Sequence, residues 1–344
     1  MLIALILILA FATTFIGVAL FRRWSLKKGI VDIPNDRSSH STPTPRGGGI
    51  VIAAVTVIAY VAGSAIFHFP LSYGYLIGVL LIVIISSLDD LYSVPVLWRF
   101  LVHGIAAGAL IYENGYFTAV YVPYYAQNID LGAIGVALSF IWIVWLINSY
   151  NFMDGIDGIA GIQAVVAGLG WTVVAFLADI PAVILISGAV MSSSAAFLLH
   201  NWQPARIFMG DAGSAFLGYT FASIPLIFLH QLKNESGLVP LIAVLFVWLF
   251  VFDSIFTLFK RMLNGEKVWQ AHRQHIYQKL VISGLSHQQV SLLFGLLAFV
   301  IMVPSVSVLS GSVRLEFLAI PIVIIATISL LVIYHRRSRI SEPG

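Results

Sequence analysis

The amino-acid sequence predicts an all-α polytopic membrane protein with about eleven transmembrane helices. Three observations predict it. The 344 residues are 60% hydrophobic and only 10% charged, with a mean hydropathy of +0.98. A soluble domain carries about 25% charged residues, so this chain cannot cover a water-facing surface. Apolar runs of the length a bilayer requires, about 20 residues, recur along the whole chain. Finally, sixteen of the eighteen Lys and Arg fall on one side once those runs are counted as spans. The absence of cysteine excludes disulfides, thiolate metal sites and a cysteine nucleophile.

The runs lie at roughly 2–21, 50–68, 74–88, 97–111, 131–147, 158–178, 181–200, 213–230, 238–259, 290–310 and 315–334. The first has no basic n-region and no small-residue cleavage site, so it reads as a span entering with its N-terminus outside. The third and fourth are short. Asp179 and Ile180 alone separate the sixth from the seventh, which suits a tight hairpin ahead of Pro181. The aromatic segment 112–130 reads as interfacial, with a small periplasmic hairpin. Only Lys233 and Arg314 sit on the sparse side. The positive-inside rule therefore makes the other side, and the C-terminus, cytoplasmic.

The polar motifs sort the same way. They occupy loops 22–49, 89–96, 148–157, 201–212 and 260–289, all on the basic face. The stretch NSYNFMDGIDG sets Asn148, Asn151, Asp154 and Asp157 directly between two apolar runs. Asp89, Asp90, Asp154, Asp157 and Asp211 all stand at span ends. Ionisable groups at membrane depth are costly and usually face a site. Adjacent Asp89 and Asp90 repel each other unless a cation lies between them. On a helix, Asp154 and Asp157 would share one face. An oxygen-only cluster suits Mg²⁺ or Mn²⁺, or else pairing with Arg and Lys of the same loops.

Arg46–Gly47–Gly48–Gly49 and Gly210–Asp211–Ala212–Gly213 each precede a span. Glycines before a helix suit phosphate binding, although close helix packing explains glycine equally often. There is no Walker A pattern. In AHRQHIYQ, Arg273 between His272 and His275 points to anion binding through the guanidinium fork. The competing use is pairing with lipid phosphates. A cation-coupled transporter is the competing class. It would place acids near the midplane on broken helices, with internal repeats. Only Asp253 lies clearly inside a span, and no repeat is legible.

In chain order, DIPNDRSSHSTPTPRGGG, LDDLYSVP, NSYNFMDGIDGIAG, FMGDAGSAFLG and HRQHIYQ resemble the motif set of the polyprenyl-phosphate N-acetylhexosamine-1-phosphate transferase superfamily, glycosyltransferase family 4. The likeness runs from about residue 22 to 280 and is strongest to the O-antigen-initiating branch. HRQHIY departs from the longer histidine runs of the peptidoglycan enzyme, which ranks a pentapeptide donor lower. The resemblance implies one integral membrane domain over 1–344 in the bacterial inner membrane, its active site facing the cytoplasm. It implies transfer of a sugar 1-phosphate from a UDP-N-acetylhexosamine to undecaprenyl phosphate, with Mg²⁺ as cofactor and Mn²⁺ as a possible substitute. Asp211 then matches a direct Mg²⁺ ligand, assisted by Asp90. Asp89 and Asp90 match the paired aspartates that serve the lipid phosphate, and Asp154 and Asp157 the catalytic DGxDG motif. Asn148 and Asn151 match nucleotide-site asparagines, and His272, Arg273 and His275 the loop that contacts the UDP-sugar. Ser39, His40 and Arg46 are further substrate contacts, and Arg99 is a candidate for the lipid phosphate. Inner-membrane lipids surround the chain, a homodimer is compatible with it, and no nucleic acid is expected.

The chain lacks cysteine, so sidedness is testable with single introduced thiols. In intact cells, Lys28→Cys and Lys267→Cys should resist a membrane-impermeant maleimide, and Lys233→Cys should label. The reverse pattern would invert the topology.

Overall fold

The computed structural model describes residues 1–34, 42–233, 236–267, 273–309, 314 and 317–341. Among these, thirteen α-helices dominate: α1 (Leu2–Lys28), α2 (Gly49–Phe67), α3 (Tyr73–Tyr92), α4 (Val96–Asn114), α5 (Ile134–Met153), α6 (Ile159–Leu177), α7 (Pro181–Asn201), α8 (Asp211–Leu232), α9 (Leu238–Phe246), α10 (Trp248–Leu263), α11 (Ile276–Ile282), α12 (His287–Leu309) and α13 (Ala319–Ser341). Strands are limited to two small antiparallel pairs, β1 (Val31–Asp32) with β2 (Thr44–Pro45) and β3 (Ala119–Val122) with β4 (Gln127–Asp130). The second pair is the hairpin expected within 112–130. It aligns Ala119 with Asp130 and is fastened by the Tyr121 amide donating to Gly237 O at 2.9 Å.

Among the described residues ten helices are long and apolar enough to cross a membrane, and the bent pair α9–α10 makes an eleventh when it is counted as one span. The third and fourth are not short. α3 runs on through Asp89 and Asp90 to Tyr92, because its polar end lies within the helix rather than in a loop. α4 likewise starts at Val96 and contains Arg99. At the opposite end of this hairpin, Glu113 accepts from the Ser72 hydroxyl and the Tyr73 amide, both at 2.9 Å. That carboxylate satisfies amides that the start of α3 would otherwise leave unpaired.

α8 is the central helix, buried along nearly all its length and packed against α2, α3 and α5. Small residues allow this. A Cβ at Gly213 would lie 2.5 Å from Gly49 Cα, so only glycine permits α8 and α2 to approach so closely.

The sequence reads 238–259 as one continuous span; the chain instead breaks it at Val247, with a 79° bend between α9 and α10. Neither proline nor glycine stands at the break. A freed backbone carbonyl inside a membrane needs a partner, and Gln163 of α6 supplies it, donating from Nε2 to Phe246 O at 2.7 Å. Beyond the break α10 is inverted relative to a soluble helix. Asp253, Ser254, Thr257 and Arg261 face inward, and Ile255, Phe259 and Met262 face outward. Polar groups in a span turn to the bundle interior for this reason.

Gln163→Leu keeps the volume but deletes the donor. It should destabilise the protein by about 1–3 kcal/mol, the cost of a buried unpaired carbonyl. A lowered midpoint of thermal unfolding in detergent would show it; an unchanged midpoint would mean water replaces the side chain.

Candidate active site

Five separate segments meet at one end of the bundle, and backbone hydrogen bonds set their positions. Phe208 N donates to Pro45 O at 2.8 Å, Gly48 N to Phe208 O at 3.0 Å, and Gly49 N to Met209 O at 2.9 Å. This short ladder lays the RGGG segment beside FMGD and brings Arg46 to the start of α8. The last turn of α3 arrives from the other side. Asp90 accepts the amides of Asp211 and Ala212 at 3.2 and 3.3 Å. A helix N-terminus leaves its first amides unpaired and carries partial positive charge, so the buried Asp90 carboxylate caps α8. Arg46 Nε lies 3.9 Å from Asp90 and, among the described residues, has no hydrogen-bond partner.

Asp89 accepts the Val94 amide at 2.7 Å and is ion-paired with Arg99. The same guanidinium lies 3.9 Å from Asp211. Thus the adjacent aspartates face different partners. The side chain of Asp211 is 40% exposed, against 11% for Asp89 and 9% for Asp90. It is the carboxylate of the three that solvent or a ligand reaches. Asn151 and Asp89 lie against it, and Asn151 donates to Ser214 Oγ at 3.2 Å. Asn148, one turn earlier on α5, donates to Val144 O at 2.7 Å and lies 3.5 Å from His103 Nδ1.

Asp154 and Asp157 do not share a helix face. α5 ends at Met153 and α6 begins at Ile159, so DGIDG is a turn. Gly158 has φ +82°, which lets the chain reverse there. The two carboxylates go separate ways. Asp157 accepts the Ala205 amide at 3.0 Å and pairs with His287 Nδ1 at 3.3 Å, while its carbonyl accepts from Ser291 Oγ at 2.7 Å. It ties the turn to segment 201–210 and to α12. Asp154 stays half-exposed on the side of Asp90 and Asp211. Loss of hydration, then the negative charge of Asp211, Asp90 and Asp157, hold its carboxyl well above the ordinary carboxylate range.

His275 is buried at the start of α11, and its Nδ1 lies 3.0 Å from Asp253 Oδ1. Arg273 is half-buried two residues earlier. The Tyr277 hydroxyl donates to Phe152 O at 2.9 Å, which lays the start of α11 against the DGIDG turn. Ser39, His40 and His272 lie outside the described residues. Asp253, the one acid the sequence places inside a span, is fully buried and hydrogen-bonded to the α11 N-terminus rather than lining a midplane path. The readable signal was the helical spacing of Asp253, Thr257 and Arg261 along one face. Ser214 and His103, which contact Asn151 and Asn148, carry no such signal.

The architecture is that of a multi-pass membrane protein whose acidic site sits where helix ends meet the membrane surface. Its sequence matches the model of glycosyl transferase family 4 over residues 72–229. It is 30% identical over 320 residues to the "Probable undecaprenyl-phosphate N-acetylglucosaminyl 1-phosphate transferase" of Bacillus subtilis, covering 92% of this chain and 88% of that one. It is 27% identical to the undecaprenyl-phosphate alpha-N-acetylglucosaminyl 1-phosphate transferase of Yersinia pestis, over 86% and 80% of the two chains. A decaprenyl-phosphate N-acetylglucosaminephosphotransferase of Mycobacterium leprae is 26% identical, over 84% and 79%. The chain belongs to glycosyl transferase family 4, the family of these polyprenyl-phosphate sugar-1-phosphate transferases.

Asp154 makes stability depend on pH. A carboxyl whose folded-state pKa is raised keeps its proton in the folded protein after the unfolded chain has lost it. Its contribution is therefore complete below the ordinary value of 3.8 and declines as pH rises through the folded value. In EDTA the unfolding midpoint should fall as pH rises above the ordinary carboxylate range. Asp154→Asn should flatten that fall, and parallel curves for the two proteins would exclude Asp154 as its source.

Proposed function

We propose that the protein transfers N-acetylhexosamine 1-phosphate from a UDP-linked donor to undecaprenyl phosphate, releasing UMP and starting a cell-surface polysaccharide such as O-antigen. The observation that carries this reading is the convergence of Asp89, Asp90, Asp154 and Asp211 with Arg46 and Arg99 at one membrane face. A lipid acceptor keeps its tail in the bilayer, and a nucleotide-sugar stays in water. Only a site built on helix ends reaches both. The printed names of the relatives point to N-acetylglucosamine as the sugar, and the basic face points to a cytoplasmic site in the inner membrane.

Among the described residues no three acidic or histidine side chains close into a ready-made metal group. Mg²⁺ does not need one, because one or two carboxylates with substrate phosphates suffice. The donors present are oxygen-only, and Asp154 lies beside the carboxylates of Asp211, Asp90 and Asp157. These residues fit Mg²⁺, with Asp211 the accessible ligand and Asp90 behind it. When bound, Mg²⁺ would neutralise the donor diphosphate and stabilise the departing UMP.

The chain's own groups supply positioning and charge. Arg99, shared between Asp89 and Asp211, is placed to receive the acceptor phosphate. Arg273 is the cation for the donor side. An oxygen of the acceptor phosphate forms the new bond to the donor's β-phosphorus, and the bond from that phosphorus to the UMP oxygen breaks. The acceptor monoester is already ionised near neutrality, so no base is needed and direct attack suffices.

Purified protein with undecaprenyl phosphate, Mg²⁺ and a panel of UDP-N-acetylhexosamines should release UMP only when both substrates are present. EDTA should abolish release. Asp211→Asn should lower turnover about 100-fold or more, the usual scale for losing transition-state charge stabilisation. Release that survives EDTA would remove Mg²⁺ from the reading. A folded protein inactive with every donor would overturn the transfer itself.

A further inference from the structure

We propose that Asp253 is a positioning residue for the donor: its buried carboxylate assembles residues 273–277 against the DGIDG turn. The inference rests on the transferase reading above. Asp253 lies on α10, just past the break at Val247, and is 0% exposed. Its Oδ1 accepts from Thr257 Oγ1 at 3.0 Å, from His275 Nδ1 at 3.0 Å and from the Ile276 amide at 2.9 Å. Its Oδ2 accepts the Tyr277 amide at 3.2 Å. A carboxylate withdrawn from water is costly unless its oxygens are fully hydrogen-bonded, and here four donors satisfy it. No transported cation is required to explain an acid at this depth.

The choice of donors is informative. Ile276 and Tyr277 are the first two residues of α11, whose amides have no partner within the helix. Asp253 supplies that partner from a different helix, so α11 starts where α10 dictates. The His275 ring is held as well, by its Nδ1 contact with Asp253 and by the capping contact of its side chain with the Gln278 backbone. A second tether closes the arrangement. The Tyr277 hydroxyl donates to Phe152 O at 2.9 Å, two residues before Asp154. A Cβ on Gly155 would come within 3.1 Å of Tyr277 Cζ, so the turn is pressed against that ring. The His275 ring stacks with Phe152 and with Tyr277, at centroid separations of 6.4 and 5.8 Å.

The consequence is mechanical. Residues 275–277 are pinned at one end by α10 and at the other by the turn that presents Asp154. Arg273 lies two residues before His275, so the same anchors limit where it can reach. The 79° break between α9 and α10 is what aims Asp253 at this segment. Asp253 touches no reacting atom. It acts through the segment that meets the nucleotide-sugar, and leaves the acceptor side, with Arg99 and Asp89, untouched.

This predicts a selective defect. In the full chain in detergent, Asp253→Asn turns one acceptor position into a donor facing a donor. It should raise the KM for UDP-GlcNAc about tenfold and leave the KM for undecaprenyl phosphate within about twofold. Tyr277→Phe keeps the ring, removes only the hydroxyl, and should shift the same KM in the same direction. Backbone amides in 273–282 should exchange hydrogen faster in both variants. A donor KM unchanged in both, or donor and acceptor KM rising together, would overturn the proposal. If Asp253→Asn does not fold, Tyr277→Phe decides on the same terms. Should the wild type turn over no nucleotide-sugar, the transferase reading fails, and unchanged exchange in the variants would then separately overturn the anchoring.

Discussion

Asp90 accepting the first amides of α8 is the contact on which the rest of the site depends. It joins α3 to the central helix at the membrane face and fixes the direction in which Asp211 projects. It also places a negative group where the helix dipole is positive. Without that match, a cluster of carboxylates at the edge of a low-dielectric interior would not assemble. Arg99 and Arg46 complete the balance, each shared or held near acids from different helices. What remains is the half-exposed Asp154, beside the charges of Asp211, Asp90 and Asp157.

The acids divide the labour. Asp89, Asp90 and Asp157 have oxygens engaged by backbone amides or by charged side chains, and they hold segments together. Asp211 and Asp154 are the open ones. Residues of one type in one motif set thus do two kinds of work. A half-satisfied carboxylate next to a fully satisfied one is how a membrane protein keeps a reactive group at the surface without losing the fold around it.

The broken span extends the same logic. A continuous helix over 238–259 would have buried its polar residues against lipid or kept them in a row. Breaking it at Val247, with Gln163 taking the freed carbonyl, turns α10 so that Asp253 reaches α11. An irregularity inside the bilayer is stable only where such a partner exists. The partner and the displaced helix therefore belong to one device.

The sequence by itself determined the class of protein, the positions of most of its apolar spans, the shared face of the polar loops and the family. Composition, apolar run length and motif order are properties of the chain, and no packing is needed to read them. Three matters were decided only by the tertiary structure. Asp154 and Asp157 diverge because both lie in the turn between α5 and α6, although their spacing fits a shared helix face equally well. The break at Val247 carries no proline or glycine, and it is explained by a glutamine 84 positions earlier in the chain. Asp253 is a tether because four donors from two helices close around it. Each of these depends on which distant group meets a polar atom, and that is settled by three-dimensional contact rather than by neighbours along the chain.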